Sequence, residues 1–401
     1  MDNIQMIKNE YFPWNIPFAY RIKILYENSR MGFKSVVFLY ETADSSTFRY
    51  RVYNMCQSLE ESLYWKGNFF FENELEKLSR YLDYIDLLVL VRFHWSKELG
   101  EFVAKYKSMR GGKKVIFDID DLVFDIRYLP ELLQSIGSRK VAEETAYWKG
   151  YVSSLNHTAY LCDIAITTNG YLKNLLEDSL QKKCYVIPNT FNRWQEQISQ
   201  KCCKEKKTSK NEFTLGYFSG SPTHEKDFLM IAEELYELLC GFPDMKLKIV
   251  GYMNLPDYME RLRKNGKIMF VGFQNFINLQ KEIADVNINL VPLVNTVFTN
   301  CKSELKYFEA SIVETISIMS PTYVYKTIIK DGDNGFLCEF DNSGRWYQRI
   351  LDIYYERVDI RKISRAARHV CEEKYRYSAV RNDIEKLCFQ MIERPAMKSQ
   401  V

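Results

Sequence analysis

Three side chains near residue 300 are spaced for chemistry. Lys302, Lys306 and Glu309 fall at i, i+4 and i+7, so a helix starting near Ser303 would carry them on one stripe. Ser303 is a helix-capping type, and the first N–H groups of such a helix would point into the loop before it. Two ammonium groups at a helix N-terminus suit a diphosphate. A carboxylate one turn deeper suits a pair of ribose hydroxyls, because an ionised glutamate offers only acceptors. A plain surface helix with a Lys–Glu pair would show the same spacing, so the surroundings decide.

Those surroundings hold two more polar clusters. Gly216–Phe228 reads GYFSGSPTHEKDF, a strand running into a Ser/Gly-rich loop before a helix. Gly220 would let backbone approach a phosphate, Ser221 and Thr223 could donate to it, and His224 and Lys226 could add positive charge. The pattern is not G-x-G-x-x-G, so a nicotinamide dinucleotide is not indicated. The other cluster is Asp118, Asp120, Asp121 and Asp125, directly after an apolar run. Carboxylates so placed are costly unless paired or turned toward a site. Orienting hydroxyls or acting as a base fits better than metal binding. Arg92 and His94 end a neighbouring apolar run and could share that cleft. Arg49 and Arg51 sit in the first turn of an expected helix marked by Phe48, Val52, Met55 and Leu59. Cations there oppose the helix dipole, so they serve an anionic ligand or are simply solvated.

The elements that must position these groups alternate. Apolar runs at 35–40, 86–93, 113–117, 164–168 and 184–189 read as strands, with helical stretches between them. A second series lies at 214–218, 246–250, 268–271, 287–291 and 315–319. Such alternation implies two parallel sheets, each covered on both faces. Residues 195–211 (QEQISQKCCKEKKTSKN) are polar and unpatterned, and read as a linker. One long helix is expected around 363–393. Residues 1–34 mix aromatic and basic side chains, the pattern of an interfacial segment or of one that packs on its own domain. The domains expected are 1–200, 212–380 and a terminal helix and tail, 381–401, returning toward the first. The polar clusters then fall at strand ends, where such sheets bind ligands.

Composition narrows the class. The chain has 401 residues and a net charge of +3, from 55 basic and 52 acidic side chains, a balance that gives no mandate for nucleic acid. Its ten cysteines form no C-x-x-C pair and its four histidines show no ligand spacing, so neither a disulfide framework nor a metal site is expected. No apolar run is long enough to span a bilayer, and no leader pattern opens the chain. A cytoplasmic protein is expected, with peripheral membrane contact left open.

The C-terminal half resembles bacterial GT-B-fold glycosyltransferases of the group close to glycosyltransferase family 4. The matching pieces are Gly216–Phe228, Asn287–Leu293 (NINLVPL), Lys302–Ala310 (KSELKYFEA), Ser320–Tyr323 (SPTY) and Asp331–Phe336 (DGDNGF). Weaker pieces are Arg49–Val52, Val115–Phe124 and Val186–Asn189. The resemblance implies two Rossmann-like domains facing across a cleft, with a nucleotide-sugar on the C-terminal one and an acceptor on the other. It implies transfer of a hexosyl-type group to a glycan or lipid-linked glycan, without cofactor or metal, in cell-surface polysaccharide or glycoconjugate synthesis. Gly220, Ser221, Thr223, His224, Lys226, Lys302, Ser303, Lys306 and Glu309 would bind the donor. Arg49, Arg51 and Arg92 would bind the acceptor, and Asp118, Asp120, Asp121 and His94 would serve catalysis.

Relatives carry two donor-site glutamates. Glu309 fits the second better than Glu314, and the first falls on Cys301. Glu314 stands where relatives have glycine, and Ile316 where they have proline. Asp120 falls about where they place a histidine. These departures leave two alternatives open: a catalytically silent GT-B subunit that binds glycan or a partner transferase, and a nucleotide-sugar epimerase.

Overall fold

The computed structural model describes residues 12–44, 46–136, 141–206, 212–220 and 225–392. The chain divides into two compact units. The first is built from the described parts of Met1–Ile126, Tyr147–Thr190 and Tyr377–Val401, and the second from those of Arg127–Ala146 and Phe191–Arg376. Each is a Rossmann-like α/β unit.

The first unit carries six parallel strands: β1 (Lys34–Tyr40), β2 (Trp65–Phe71), β3 (Leu87–Val91), β4 (Lys114–Asp118), β5 (Ile164–Thr167) and β6 (Cys184–Val186), in the order β2-β1-β3-β4-β5-β6. All five residues of β3 are buried, as expected of a central strand covered on both faces. The aromatic N-terminal stretch packs on this unit. Phe12 and Trp14 are buried, and Arg21 of helix Phe18–Arg30 forks onto Glu74 with contacts of 2.9 and 2.5 Å. The terminal helix Arg381–Ile392 also belongs here; Arg381 Nη2 meets Glu61 at 2.6 Å.

The second unit carries β7 (Phe213–Ser219), β8 (Met245–Gly251), β9 (Ile268–Val271), β10 (Ile288–Val291), β11 (Ile316–Met319) and β12 (Phe336–Leu337), all parallel, in the order β12-β11-β10-β7-β8-β9. Leu215, Leu247, Ile249, Ile288, Leu290, Ile316 and Ile318 form the sheet side of its core. Each such side chain contributes about 1.5–3 kcal/mol by leaving water.

Three segments differ from expectation. Residues 193–205 form a helix rather than an unpatterned linker. Asn192 caps it, its Oδ1 accepting from Gln195 N at 2.7 Å. Its buried face is polar: Gln195 and Ser199 are buried, and Ser199 Oγ bonds Gln280 Oε1 at 2.9 Å. A polar inner face leaves no apolar period to read. The expected long C-terminal helix is two helices, Ile360–Tyr375 and Arg381–Ile392. The break comes at Arg376, which turns extended (φ −64°, ψ 141°) and bridges to Phe191. The described parts of 127–146 group with the second unit, where Lys226 Nζ donates to Gln134 O at 3.2 Å.

Candidate functional site

In the first unit, β3 and β4 deliver the acidic cluster. The chain leaves β3 through Arg92, whose φ of +41° is left-handed, a conformation that costs a branched-chain or bulky residue about 1–2 kcal/mol. Its N–H donates to Asp118 O at 2.9 Å. The turned side chain reaches Asp120 Oδ1 at 3.3 Å, Thr47 Oγ1 at 3.2 Å and Tyr151 OH at 3.4 Å. Thr47 Oγ1 also bonds Asp120 Oδ2 at 3.4 Å. Burial works against the guanidinium charge, but Asp120, with Tyr151, Asp121 and Tyr40, outweighs it and raises the Arg92 pKa. His94 packs edge-on to Tyr151, with ring centroids 4.5 Å apart. Burial lowers its pKa, opposed by Glu41 and assisted by Arg92. Tyr40 is raised chiefly by burial and then by Asp44. The result is a half-buried carboxylate at the strand ends, held by Arg92 and ringed by Thr47, Tyr151 and Tyr40.

The other aspartates separate from it. Arg51 and Asp118 are both fully buried, with Nη2–Oδ1 at 3.0 Å. Arg51 Nη1 also donates to Ile187 O at 2.7 Å. Burial raises the Asp118 pKa to about 6, with Arg51 opposing. Neither side chain has an open face. Arg49 is buried in the π-turn Arg49–Tyr53, its guanidinium 3.8 Å from the Tyr50 ring centroid. Asp121 accepts from Leu122 N at 3.2 Å and Asp125 from Ser179 Oγ at 2.5 Å. The cluster expected from sequence therefore resolves into one structural pair, Arg51–Asp118, and two half-buried groups, Asp120 and Asp121, with Arg92 holding Asp120.

In the second unit, Lys306 and Glu309 lie on helix Leu305–Ser311, whereas Lys302, expected on the same helix, stands before it. Its N-cap is Glu304, without a side-chain cap bond, rather than Ser303. A short capped turn, Val297–Asn300, comes first, with Thr296 Oγ1 accepting from Thr299 N at 3.1 Å. That turn uses up the polar loop and moves the next helix start past Ser303. Lys306 Nζ donates to Phe218 O at 3.0 Å, at the end of β7. Burial lowers its pKa to about 8, with Asp227 opposing, Lys302 assisting and Glu309 opposing. These charges therefore share one neighbourhood. Glu309 is buried. Asn289 of β10 fixes the helix by donating to Lys306 O at 3.2 Å and Ser317 Oγ at 3.0 Å. The turn at 331–335 docks below it, where Tyr307 OH donates to Asn334 O at 2.8 Å.

The Ser/Gly-rich loop after β7 is described only in part. Gly220 is exposed, and a Cβ built on it would meet nothing within 4 Å. Ser221, Thr223 and His224 lie outside the described residues. Gly251 at the end of β8 is the constrained neighbour: its φ is +99°, and a Cβ there would stand 1.9 Å from Ser219 O. Asp227 Oδ1 accepts from Val294 N at 2.9 Å, joining this region to the loop after β10. Sequence reasoning missed Asp227, although it follows Lys226 in the quoted cluster. It also missed Thr47, Tyr40 and Tyr151, which only the strand order brings to Asp120.

Glu314 does not join the stripe. It sits at φ +53° and pairs with Arg368 at 3.1 Å. Lys206 Nζ donates to Glu314 O at 3.0 Å. Among the described residues no group of three or more His, Cys, Asp and Glu side chains is arranged to hold a metal ion, and no helix is long and apolar enough to cross a membrane.

The fold has known counterparts. Residues 212–356 match the family described as glycosyl transferases group 1. No curated protein sequence matches the chain. Among solved structures, a glycosyltransferase from Rickettsia africae superposes with a TM-score of 0.62 at 13% identity, covering 90% of this chain and 100% of that one. Sucrose-phosphate synthase from Thermosynechococcus elongatus gives 0.57 at 12% identity, covering 89% and 99%. Anabaena HepE in complex with UDP gives 0.56 at 12% identity, covering 89% and 100%. The chain carries the GT-B fold.

Proposed function

We propose that this chain is a nucleotide-sugar-dependent glycosyltransferase of glycosyltransferase family 4 type. It moves a hexosyl-type group to a glycan or lipid-linked glycan in cell-surface polysaccharide or glycoconjugate synthesis. The observation that carries the reading is Lys306, whose Nζ donates to Phe218 O at the end of β7 and whose charge Asp227, Lys302 and Glu309 act on, inside the matched segment. Lys306 and Lys302 neutralise the donor diphosphate, with Lys226 and the Gly220 loop beside them. Glu309 accepts from the ribose hydroxyls. No metal is needed if these cations stabilise the departing diphosphate.

In transfer, the bond between the sugar's anomeric carbon and the diphosphate oxygen breaks. A bond from that carbon to an acceptor oxygen forms. The acceptor's proton goes to a base in an inverting enzyme, for which Asp120 is the candidate and Asp121 the alternative. It goes to the leaving diphosphate in a retaining one. Arg92 sets the Asp120 carboxylate, and His94 lies beside it. The setting we propose is cytoplasmic, at the inner membrane face where the acceptor is lipid-linked.

A silent subunit remains the second reading, because Cys301, where relatives carry their first donor-site glutamate, is fully buried. The test is thermal stabilisation by a panel of nucleotide-sugars, beginning with uridine diphosphate sugars since HepE is seen with UDP. A ligand well above its Kd must raise stability. A stabilising donor should then release its diphosphate when acceptor is added. Binding without release under any acceptor supports the silent subunit, and sugar isomerisation without acceptor supports an epimerase.

A further inference from the structure

A cavity in the second unit adjoins the Lys302–Lys306–Glu309 stripe. Its lining combines the polar Glu131, Lys226, Asp227, Thr296, Thr299 and Lys302 with apolar side chains such as Leu293 and Phe298. Lys302 lines the cavity, and Lys302 and Asp227 both act on the Lys306 charge. Glu131 comes from helix Leu129–Ile136, far away in sequence. Among the described residues its Oε2 is buried with no hydrogen-bond partner. A buried carboxylate oxygen without a donor is unfavourable, and a donating ligand group would satisfy it.

The charges divide the cavity by chemistry. Lys226 and Lys302 suit phosphate oxygens. Glu131 and Asp227 repel phosphate and suit groups that donate, such as sugar hydroxyls. Thr296 and Thr299 can serve either. The position at which relatives carry their first donor-site glutamate is Cys301, whose side chain is buried and offers no carboxylate.

On the donor-binding reading above, we propose that Glu131 is the sugar-binding carboxylate of the donor pocket. It accepts from a hydroxyl of the transferred sugar and supplies, from helix Leu129–Ile136, the carboxylate missing at Cys301. The pocket would therefore read the sugar as well as the diphosphate.

The experiment is calorimetric titration of wild type, Glu131→Ala and Glu131→Gln. The probes are UDP-, GDP-, ADP- and dTDP-linked hexoses, each paired with its free nucleoside diphosphate. Glu131→Ala should weaken the best sugar nucleotide by about tenfold or more and leave the free diphosphate unchanged. Glu131→Gln keeps the shape and one acceptor and should fall between. Equal loss of sugar nucleotide and diphosphate, or no loss of either, overturns the inference. If Glu131→Ala fails to fold, the glutamine variant decides alone: unchanged discrimination between sugar nucleotide and diphosphate overturns it. A wild type that binds none of these probes would overturn the donor-binding reading and this inference with it.

Discussion

Arg92 holds Asp120 from a left-handed strand end, Nη1 to Oδ1 at 3.3 Å with the Arg92 backbone at φ +41°. Strained backbone persists where the surrounding structure over-determines it, and such positions cluster at functional sites. Asp120→Asn should lower turnover by about 10²–10⁴-fold with donor affinity little changed. Arg92→Lys should lower it too, because an ammonium cannot reproduce the guanidinium fork. Steady-state kinetics with donor and acceptor checks both, and near wild-type turnover in both would make the cluster structural.

Asp118 should behave in the opposite way. Its partner Arg51 is fully buried with it, so Asp118→Ala leaves an unpaired buried charge. The cost should be about 3–5 kcal/mol, measured by urea denaturation. Because burial raises its pKa from 3.8 to about 6, the folded state holds more protons across that window. This group therefore subtracts stability as pH rises from about 4 to 6. An Asp118 variant as stable as wild type would contradict the pairing.

Lys306 predicts a pH profile for donor binding. Its pKa is lowered from 10.5 to about 8 by burial. In the free protein it loses its charge above that pH, so donor affinity should fall between about pH 7.5 and 9. Lys306→Arg should flatten that fall, since arginine stays charged. Folding stability moves the other way: between about 8 and 10.5 the unfolded chain binds more protons, so this group adds stability as pH rises through that window. Titrations at several pH values check the binding arm, and an unchanged slope in the arginine variant would contradict it.

Glu314→Gly tests whether this glutamate is structural. Glycine removes about 1–2 kcal/mol of left-handed strain and loses a half-exposed pair with Arg368 worth about 0.2–1 kcal/mol. Stability should stay level or rise slightly in thermal denaturation, with donor affinity unchanged. A large loss of affinity would place Glu314 in the site.

Much of the sheet was legible because buried parallel strands are continuous apolar runs: β3 and β10 announce themselves. Strand β2 was not, because Trp65–Phe71 (WKGNFFF) holds a lysine, a glycine and an asparagine and shows neither a clean run nor alternation. The helix at 193–205 hid because its inner face is Gln195 and Ser199. Lys306 and Glu309 could be read from spacing, since two residues on one helix fix their own geometry, but Lys302 stands before that helix. Which aspartate stands open could not be read, because it depends on Asp118 ending β4 buried against Arg51 while Asp120 lies just past the strand, partly exposed. Glu131 left no signal at all: its neighbours Lys226, Asp227 and Lys302 are separated from it by nearly a hundred residues or more.

The central claim rests on Glu309, buried one turn from Lys306. Hydrogen bonds to a charged acceptor are worth about 1.5–3 kcal/mol each, and tenfold in affinity takes only about 1.4 kcal/mol. Calorimetric titration of Glu309→Ala and Glu314→Ala, with whichever sugar nucleotide stabilises the wild type, tests the claim most directly. The account predicts a loss of at least about tenfold for Glu309→Ala and a smaller effect for Glu314→Ala. Abolished binding in Glu314→Ala with full binding in Glu309→Ala would contradict it.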